Sequence, residues 1–353
     1  MMTRARTQAI RRFILTHVGE HPGDIASRTR QAYGISRQAV NRHLQALVDD
    51  GLLVAGGRTR ARAYTLGEVV TIGKRLHVTP LLEEDRAWRE YGAPQLAGRD
   101  PVVRELCRFA FSEVVNNVLD HADARHMRIA IGTNPANAVV TISDDGSGIF
   151  ERLINTFELE DVRHAVLELA KGRLTTSPGS HIVASLFYVA KLVDRLLILS
   201  GRWQCAHDGA TGMWSVSEAP FVVKGTSVQM TVSTFCERRP EDIIVDYGDN
   251  DRELVRTHVP VTLVDYDGEG AISRSQARRL LARLDQFEEV LLDFSGVRTV
   301  GRGFADEVFR AFRLRHPDVS VSTMNASAEV RRQIRRALAQ SPAMVTEPAR
   351  PSR

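Results

Sequence analysis

A helix that carries polar side chains on one face is followed closely by a strand that runs into a glycine turn. Glu113, Asn117 and His121 recur at four-residue intervals, so they share one face of a largely apolar helix. The following segment, Ile142-Ser143-Asp144-Asp145-Gly146-Ser147-Gly148-Ile149, contains glycines that allow close backbone approach to a ligand. A buried carboxylate, amide and imidazole require polar partners, which a divalent metal with a triphosphate would supply. Together the two patterns predict a nucleotide pocket.

The charge distribution separates the first 66 residues from the rest of the chain. These residues hold 11 arginines, no lysine and 4 acidic residues, which gives a net charge of +7. The whole chain of 353 residues carries +4, so the remainder carries −3. Guanidinium groups match phosphate geometry, and a basic head on a mildly acidic body therefore indicates a polyanionic partner for the head. A solvated charged surface is the alternative.

The apolar and cysteine content limits the class of protein. No apolar run approaches membrane-spanning length, and the basic N-terminus lacks the apolar core of a signal peptide. The three cysteines are scattered and lack metal-ligand spacing, which predicts reduced thiols without a disulfide framework or zinc site. We therefore expect a cytoplasmic protein with no membrane association.

Residues 3–66 contain three helical segments and a hairpin. A helix over residues 3–18 precedes a second that ends near Tyr33-Gly34, and Ser36 caps a third that runs to about Asp50. The hairpin follows over residues 52–66. This arrangement resembles the winged helix-turn-helix domain of bacterial transcriptional regulators.

The winged-helix resemblance implies binding to double-stranded DNA. In that family the third helix enters the major groove and wing arginines contact phosphates. The base-contacting residues would be Arg37, Gln38, Asn41 and Arg42, and the wing contacts would be Arg58, Arg60 and Arg62. A winged helix that serves dimerisation or protein docking is the alternative.

Residues 101–233 resemble the GHKL ATPase superfamily, and within it the anti-sigma-factor serine kinases. The helix signature Glu-x-x-x-Asn-x-x-x-His is matched by the triplet described above, and Asp-x-Gly-x-Gly by Asp144, Gly146 and Gly148. A third signature, Gly-Thr before a strand, is matched by Gly225-Thr226. The resemblance implies an α/β sandwich, the Bergerat fold, that binds ATP and Mg²⁺.

Each matched residue has a role that the resemblance implies. The Asn117 amide oxygen suits Mg²⁺, Glu113 would act as general base, and Asp144 would accept a hydrogen bond from the adenine amine. Thr226 would reach adenine through water. For His121 and Asn116, direct ligand contact and a supporting role on the pocket wall remain open.

The expected phosphate-binding lid departs from the family pattern. The family has a glycine-rich loop at the start of a helix, where this chain retains Gly179 but places Ile182 and Val183. β-Branched residues disfavour positive φ and keep backbone away from an anion. We therefore expect weakened nucleotide affinity or turnover, with phosphate contacts from Lys171, Arg173, Thr175 and Thr176. A fold kept only as a scaffold for protein interaction is the alternative.

The C-terminal region alternates strands and helices. Strands are predicted over 257–265, 289–294 and 319–323, and helices over 274–285, 302–315 and 327–340. With Leu291–Val297 and Gly301–Phe309, this pattern resembles a STAS-like domain found attached to such ATPase domains in prokaryotes. Gly301-Arg302-Gly303 lacks the hydroxyl that anti-sigma-factor antagonists phosphorylate there, so protein docking or self-association is the expected role.

These segments predict an α+β multidomain chain. Its expected parts are a winged helix over 1–66, a connector over 67–99, a GHKL ATPase-like domain over 100–234, a linker over 235–255, a STAS-like domain over 256–340 and a disordered tail over 341–353. The leading hypothesis is a regulator whose DNA or partner binding is switched by ATP and Mg²⁺. The alternatives are a serine/threonine protein kinase or slow ATPase that uses Glu113, and a degenerate GHKL scaffold.

Overall fold

The chain divides into two compact units in a computed structural model that describes residues 4–57, 62–67, 70–173, 182–249, 253–265 and 271–339. Unit 1 comprises Met1–Arg152, Tyr188–Gly212 and Ser217–Ile243. Unit 2 comprises Leu153–Phe187, Met213–Val216 and Ile244–Arg353. Residues 153–187, which the sequence assigns to the ATPase-like segment, thus belong to the same unit as the C-terminal domain.

The N-terminal part of unit 1 consists of three helices and a hairpin. The helices are α1 (Arg4–His17), α2 (Ile25–Tyr33) and α3 (Arg37–Asp49), and the antiparallel hairpin strands are β1 (Leu53–Gly56) and β2 (Ala63–Leu66). Their apolar faces form one core, in which Ile10, Ile14, Val40, Leu44 and Leu47 are almost completely buried. The expected three helices and hairpin are therefore present.

The rest of unit 1 is built on a five-stranded sheet. Its strands are β3 (Val70–His77), β4 (His126–Thr133), β5 (Asn137–Asp144), β6 (Arg195–Asp208) and β7 (Trp214–Ser233), in the order β3-β4-β5-β7-β6. β3, β4, β5 and β7 pair antiparallel in that order. β7 is the longest of these strands, with 20 residues.

Helix α5 (Pro101–His121) packs against β5 and carries the polar triplet. It begins where the sequence predicts, because the Asp100 side chain accepts a hydrogen bond from Val102 N at 2.8 Å and Pro101 occupies the first turn. The predicted connector over 67–99 instead contains β3, α4 (Glu84–Ala87), a π-helical turn (Trp88–Gly92) and a 3₁₀ turn (Ala93–Leu96).

The described part of the charged segment over residues 150–180 contains two helices. They are α6 (Ile149–Phe157) and α7 (Val162–Lys171), and α8 (Ile182–Leu192) follows. Asp161 caps α7 by accepting from His164 N at 2.8 Å, and Gly172 ends the helix at φ +90°. Every α7 residue from Ala165 to Lys171 is buried, so this helix lies in the core of unit 2.

The C-terminal part of unit 2 contains a three-stranded parallel sheet in the order β10-β9-β8. The strands are β8 (Arg256–Pro260), β9 (Glu289–Asp293) and β10 (Ser320–Met324). The helices are α9 (Pro240–Tyr247), α10 (Arg274–Leu281), α11 (Arg302–Asp306), α12 (Phe312–Arg315) and α13 (Ala328–Ala339), with a π-helical turn at Glu307–Ala311. Parallel strands require crossover connections, which the helices between these strands provide. The predicted strand–helix alternation is therefore present, although β8 is shorter than expected.

Cys107, Cys205 and Cys236 are buried and form no disulfide. Burial raises the pKa of the Cys107 thiol to about 12. No helix in the described part of the chain is both long and apolar enough to cross a bilayer.

Candidate nucleic-acid interface and nucleotide site

Helix α3 presents an exposed polar face while its opposite face lies in the core. Ser36 caps the helix by accepting from Ala39 N at 3.2 Å, and Gly34 takes the left-handed φ of +61° that ends α2. The four predicted base-contacting side chains are all exposed and make no hydrogen bond or ion pair to a described residue: Arg37, Gln38, Asn41 and Arg42. The structure thus places these four groups on one accessible face of a firmly packed helix.

The hairpin brings one predicted wing arginine to the end of this face. Arg62 Nη2 donates to Gln45 Oε1 at 3.4 Å, and its guanidinium lies 5.4 Å from the centroid of the Tyr64 ring. Arg62 therefore links the hairpin to α3. The other two predicted wing contacts, Arg58 and Arg60, lie outside the described residues.

The strand–turn segment after β5 is organised by the buried carboxylate of Asp144. Its Oδ1 accepts from Gly146 N at 2.9 Å and from Thr226 N at 3.3 Å, while Oδ2 accepts no hydrogen bond from a described residue. Burial raises the pKa of Asp144, and the two backbone hydrogen bonds oppose that shift. Thr226 Oγ1 accepts from Ile149 N at 2.9 Å. Asp144, Gly146 and Thr226 are therefore brought together as expected.

The glycines of this turn are required by contacts within the protein. A Cβ at Gly146 would lie 1.9 Å from Ala122 O, and a Cβ at Gly225 would lie 2.3 Å from Asp144 O. Gly148 has φ +86°, and a Cβ there would lie 2.8 Å from Ser200 Oγ. The sequence predicts that these positions are glycine so that a ligand can approach the backbone. Close packing of α5, β5 and β7 is a sufficient reason for glycine at the same positions.

The triplet on α5 is only partly exposed. Burial raises the pKa of Glu113, and the nearby Glu84 carboxylate adds to the shift. Burial lowers the pKa of His121, whose carbonyl oxygen accepts from Arg152 Nη1. Asn117 is half-buried between these two residues along the helix. The three side chains thus occupy the protected environment that a binding or proton-transfer role requires.

The described lid side chains that were predicted to contact phosphate bind groups of the protein instead. The Lys171 ammonium is buried and donates to Glu168 Oε1 at 2.6 Å and to the carbonyl oxygen of Ala282 at 2.7 Å. Arg173 donates to Gln286 O and lies 3.4 Å from Glu253. Both cations therefore bind groups within unit 2, which does not fit the expected phosphate contact. Thr175, Thr176 and Gly179 lie outside the described residues.

One buried residue of the site was not predicted from the sequence. Ser200, at 3% exposure, donates from Oγ to Gly225 O at 2.9 Å and fixes the turn before Thr226. It follows the apolar run of β6, where a serine carries no sequence signal, and only the β6–β7 pairing brings it to this place. Asp145 is also structural, since it accepts from the His126 backbone and side chain, both at 2.8 Å.

The residues present fit a nucleotide–metal pair only in part. Within the described ranges, no three His, Cys, Asp or Glu side chains cluster to hold a metal ion by themselves. A magnesium ion bound through one amide and through phosphates needs no such cluster. The half-buried Asn117 and the available Oδ2 of Asp144 have the donor types for Mg²⁺ and for an adenine amine, whereas the lid cations are already paired.

A family model described as a STAS-like domain of unknown function (DUF4325) matches residues 276–331. The C-terminal part of this chain contains a STAS-like domain. The match spans α10 to α13, and it bears out the resemblance drawn from the strand–helix alternation.

Likenesses to solved structures are weak. The chain aligns to a crystal structure of HmgR from Pseudomonas aeruginosa with 16% identity over 78% of this chain and 94% of that one, at a TM-score of 0.19. A structure described as a GntR-family transcriptional regulator aligns with 9% identity over 64% and 90%, at a TM-score of 0.13. TM-scores this low do not establish a shared fold. No curated protein matches the sequence.

Proposed function

We propose that the chain is a DNA-binding regulator that contacts duplex DNA through α3 and the following hairpin. The observation that carries this proposal is the exposed face of α3 with its two arginines and two carboxamides. These side chains form no hydrogen bond or ion pair with a described residue, so binding DNA would not break existing interactions. Arginine recognises guanine and carboxamides recognise adenine through paired hydrogen bonds in the major groove.

The packing of α3 also favours such a contact. The helix is held by a core that includes Val40, Leu44 and Leu47, so its polar face is presented rigidly. The basic charge of residues 1–66 adds phosphate attraction, which weakens as the salt concentration rises because releasing counterions from DNA then gains less free energy. We therefore expect sequence preference from α3 and salt-dependent affinity from the arginines as a group.

Selection of bound duplexes from a random library, followed by fluorescence anisotropy, tests this proposal. Arg37→Ala and Asn41→Ala should each weaken binding to the selected duplex by roughly tenfold, because a paired base contact is worth about 1–3 kcal/mol. Arg335→Ala, an exposed arginine on α13, is the charge-matched control and should bind as the unmodified chain does. Equal binding by all variants, or no enriched sequence, would overturn the proposal.

The second candidate function is binding of ATP with Mg²⁺ at the α5–β5 site, with nucleotide state altering DNA or partner binding. It is favoured by Asp144, a buried carboxylate with one oxygen that accepts no hydrogen bond from the described protein. Asn117 would contribute an amide oxygen to Mg²⁺, and Glu113, whose pKa is raised by burial, would act as a proton acceptor nearer neutral pH. Bound nucleotide would supply the phosphate groups for transfer or hydrolysis.

A thermal shift with ATP and Mg²⁺ separates these possibilities. Ligand binding to the folded form raises the melting temperature, and Asn117→Ala should remove that rise. Glu113→Gln should keep the rise but abolish phosphate release, if the protein is a kinase or slow ATPase. No shift at millimolar ATP would leave the α5–β5 site as an interaction scaffold. DNA affinity that is equal with ADP, with an ATP analogue and without nucleotide would exclude the switch.

A further inference from the structure

A pocket in the STAS-like domain is lined by arginines from four separate elements. Its volume is about 650 Å³, within the range of small-ligand sites. The cations are Arg274 of α10, Arg302 of α11, Arg310 of the adjoining π-helical turn and Arg336 of α13, and the remaining lining residues are Gly303, Asp306, Gln333 and Ala337. The pocket lies entirely in unit 2 and shares no residue with the two sites described above.

The charges of this pocket are unbalanced. Asp306, its one acidic lining residue, is shared by Arg274 at 3.1 Å and by Arg310 at 2.5 and 3.0 Å through two nitrogens. Arg302 and Arg336 make no hydrogen bond or ion pair to a described residue. The described lining residues, four cations and one anion, carry a formal charge of +3, and Glu307, which lies 3.8 Å from Arg274 Nε, reduces the local excess to +2. Like charges gathered in a concave surface repel, so the arrangement favours a multivalent anion.

Two further features indicate that the pocket is organised around the arginines. A Cβ at Gly303 would lie 3.2 Å from Arg274 Cβ and 3.4 Å from its Nε, so the glycine leaves room for Arg274 beside Arg302. Asp306 holds Arg310 in a two-pronged contact, which fixes one guanidinium plane.

We infer that this pocket binds a small phosphorylated compound that carries at least two phosphate charges. Guanidinium groups bind phosphate oxygens in pairs, and four converging arginines match a compact oligophosphate better than a single phosphate. None of the described lining residues is an aromatic side chain on which a base would stack, so the phosphates supply the recognition. The concave shape favours a small molecule over the backbone of duplex DNA.

Isothermal titration of the full chain with inorganic pyrophosphate, without divalent metal, tests the inference. We expect saturable binding with one site, and at least tenfold weaker binding of inorganic phosphate or sulfate. Arg302→Gln and Arg336→Gln remove exposed guanidiniums that have no partner among the described residues, so the fold should persist while each substitution weakens pyrophosphate binding at least fivefold. Arg335→Gln, the neighbouring exposed arginine of α13, is the matched control and should bind normally.

The same titration keeps this inference separate from the nucleotide site on α5. Asn117→Ala should leave pyrophosphate binding unchanged, because the two sites share no residue. Loss of binding in that variant, or equal binding by Arg302→Gln, Arg336→Gln and the unmodified chain, would overturn the inference. Competition by a random 20-base-pair duplex at matched phosphate concentration would also overturn it, since it would show an open DNA-contacting surface.

Discussion

Two strands, one in each unit, end on a buried aspartate that makes the same local turn. At the end of β5, Asp144 Oδ1 accepts from the backbone N–H of Gly146 at 2.9 Å. At the end of β9, Asp293 Oδ1 accepts from the backbone N–H of Ser295 at 2.8 Å. In both cases a carboxylate closes the turn by capturing the N–H two residues later.

The two carboxylates differ in the number of further protein donors that lie near their oxygen atoms. Asn325 donates to Asp293 Oδ1 at 2.9 Å, and His258 Nε2 lies 3.4 Å from Oδ2. Burial acts to raise the pKa of Asp293, but the hydrogen bonds from Asn325 and Ser295 outweigh it and the pKa is lowered. For Asp144 burial prevails and the pKa is raised. The comparison shows that protein donors surround both oxygens of Asp293, whereas Oδ2 of Asp144 accepts no hydrogen bond from a described residue.

The largest expected effect concerns the glycines that follow the two aspartates. Gly146→Ala would push a methyl group into the carbonyl of Ala122, and we expect a loss of about 3 kcal/mol or more in local stability. Gly296→Ala meets only Thr262 Cγ2 at 3.5 Å but keeps φ at +78°, so about 1–2 kcal/mol is expected. Hydrogen exchange resolved by unit measures both. Equal losses would show that the turns are packed alike.

The next largest loss of stability is expected when the hydrogen bonds around Asp293 are weakened. Asp293→Asn removes the charge that strengthens the hydrogen bonds from Ser295 and Asn325, and we expect about 2 kcal/mol of destabilisation in unit 2. Urea unfolding followed by hydrogen exchange provides the measurement. Asp318→Asn, an exposed acidic position of the same unit with no hydrogen bond or ion pair to a described residue, is the control. An unchanged free energy of unfolding would show that Asp293 contributes nothing to stability.

A smaller effect on stability is expected at Asp144. Asp144→Asn retains an oxygen that accepts from Gly146 and Thr226 and removes a buried charge, so stability should change by about 1 kcal/mol or less. The same variant should lose the ATP-dependent thermal shift, because one of its two oxygens is replaced by a donor group. A stability loss as large as that of Asp293→Asn would mean that the two carboxylate charges stabilise the protein equally.

The smallest effect is a difference in pH dependence between the two positions. The lowered folded-state pKa of Asp293 means that its stabilisation is present above the unfolded pKa and is lost as the pH falls through the folded pKa. The raised pKa of Asp144 has the opposite sign: its contribution is full below the unfolded pKa and is lost as the pH rises through the folded pKa. Urea midpoints of each Asn variant against the unmodified chain, from about pH 3 to pH 7, should diverge in opposite directions.

Much of the fold follows from local sequence signals. Asp100-Pro101 begins α5, Ser36 begins α3, and the strand–helix alternation after residue 256 gives the order of β8 to α13. β3 was not predicted, because Gly73 and Lys74 interrupt the alternation of apolar residues along this exposed edge strand. α7 was not predicted either, because its Glu168 and Lys171 resemble surface charges until their mutual pairing buries them.

Some features of the candidate sites likewise follow from local sequence, whereas others depend on contacts between distant residues. The exposed face of α3 follows from helical period alone, since its apolar positions define the opposite face. The paired state of Lys171 and the role of Ser200 depend on contacts between residues far apart in the chain, at Ala282 and Gly225 respectively. The arginine pocket has the same origin, because its cations lie on four elements that meet only in the folded domain.

The burial of all three cysteines has a practical consequence for attaching fluorescent labels to the protein. Cys107 and Cys205 have no exposed area, Cys236 has 7%, and burial raises the pKa of Cys107 and Cys205. Thiolates are the nucleophiles that react with maleimides, so the buried native thiols should remain unmodified while the protein is folded. A fluorophore pair attached to cysteines introduced at exposed Gln31 and Arg335 would therefore report distance changes on adding DNA, ATP or pyrophosphate. The native cysteines would not need to be removed.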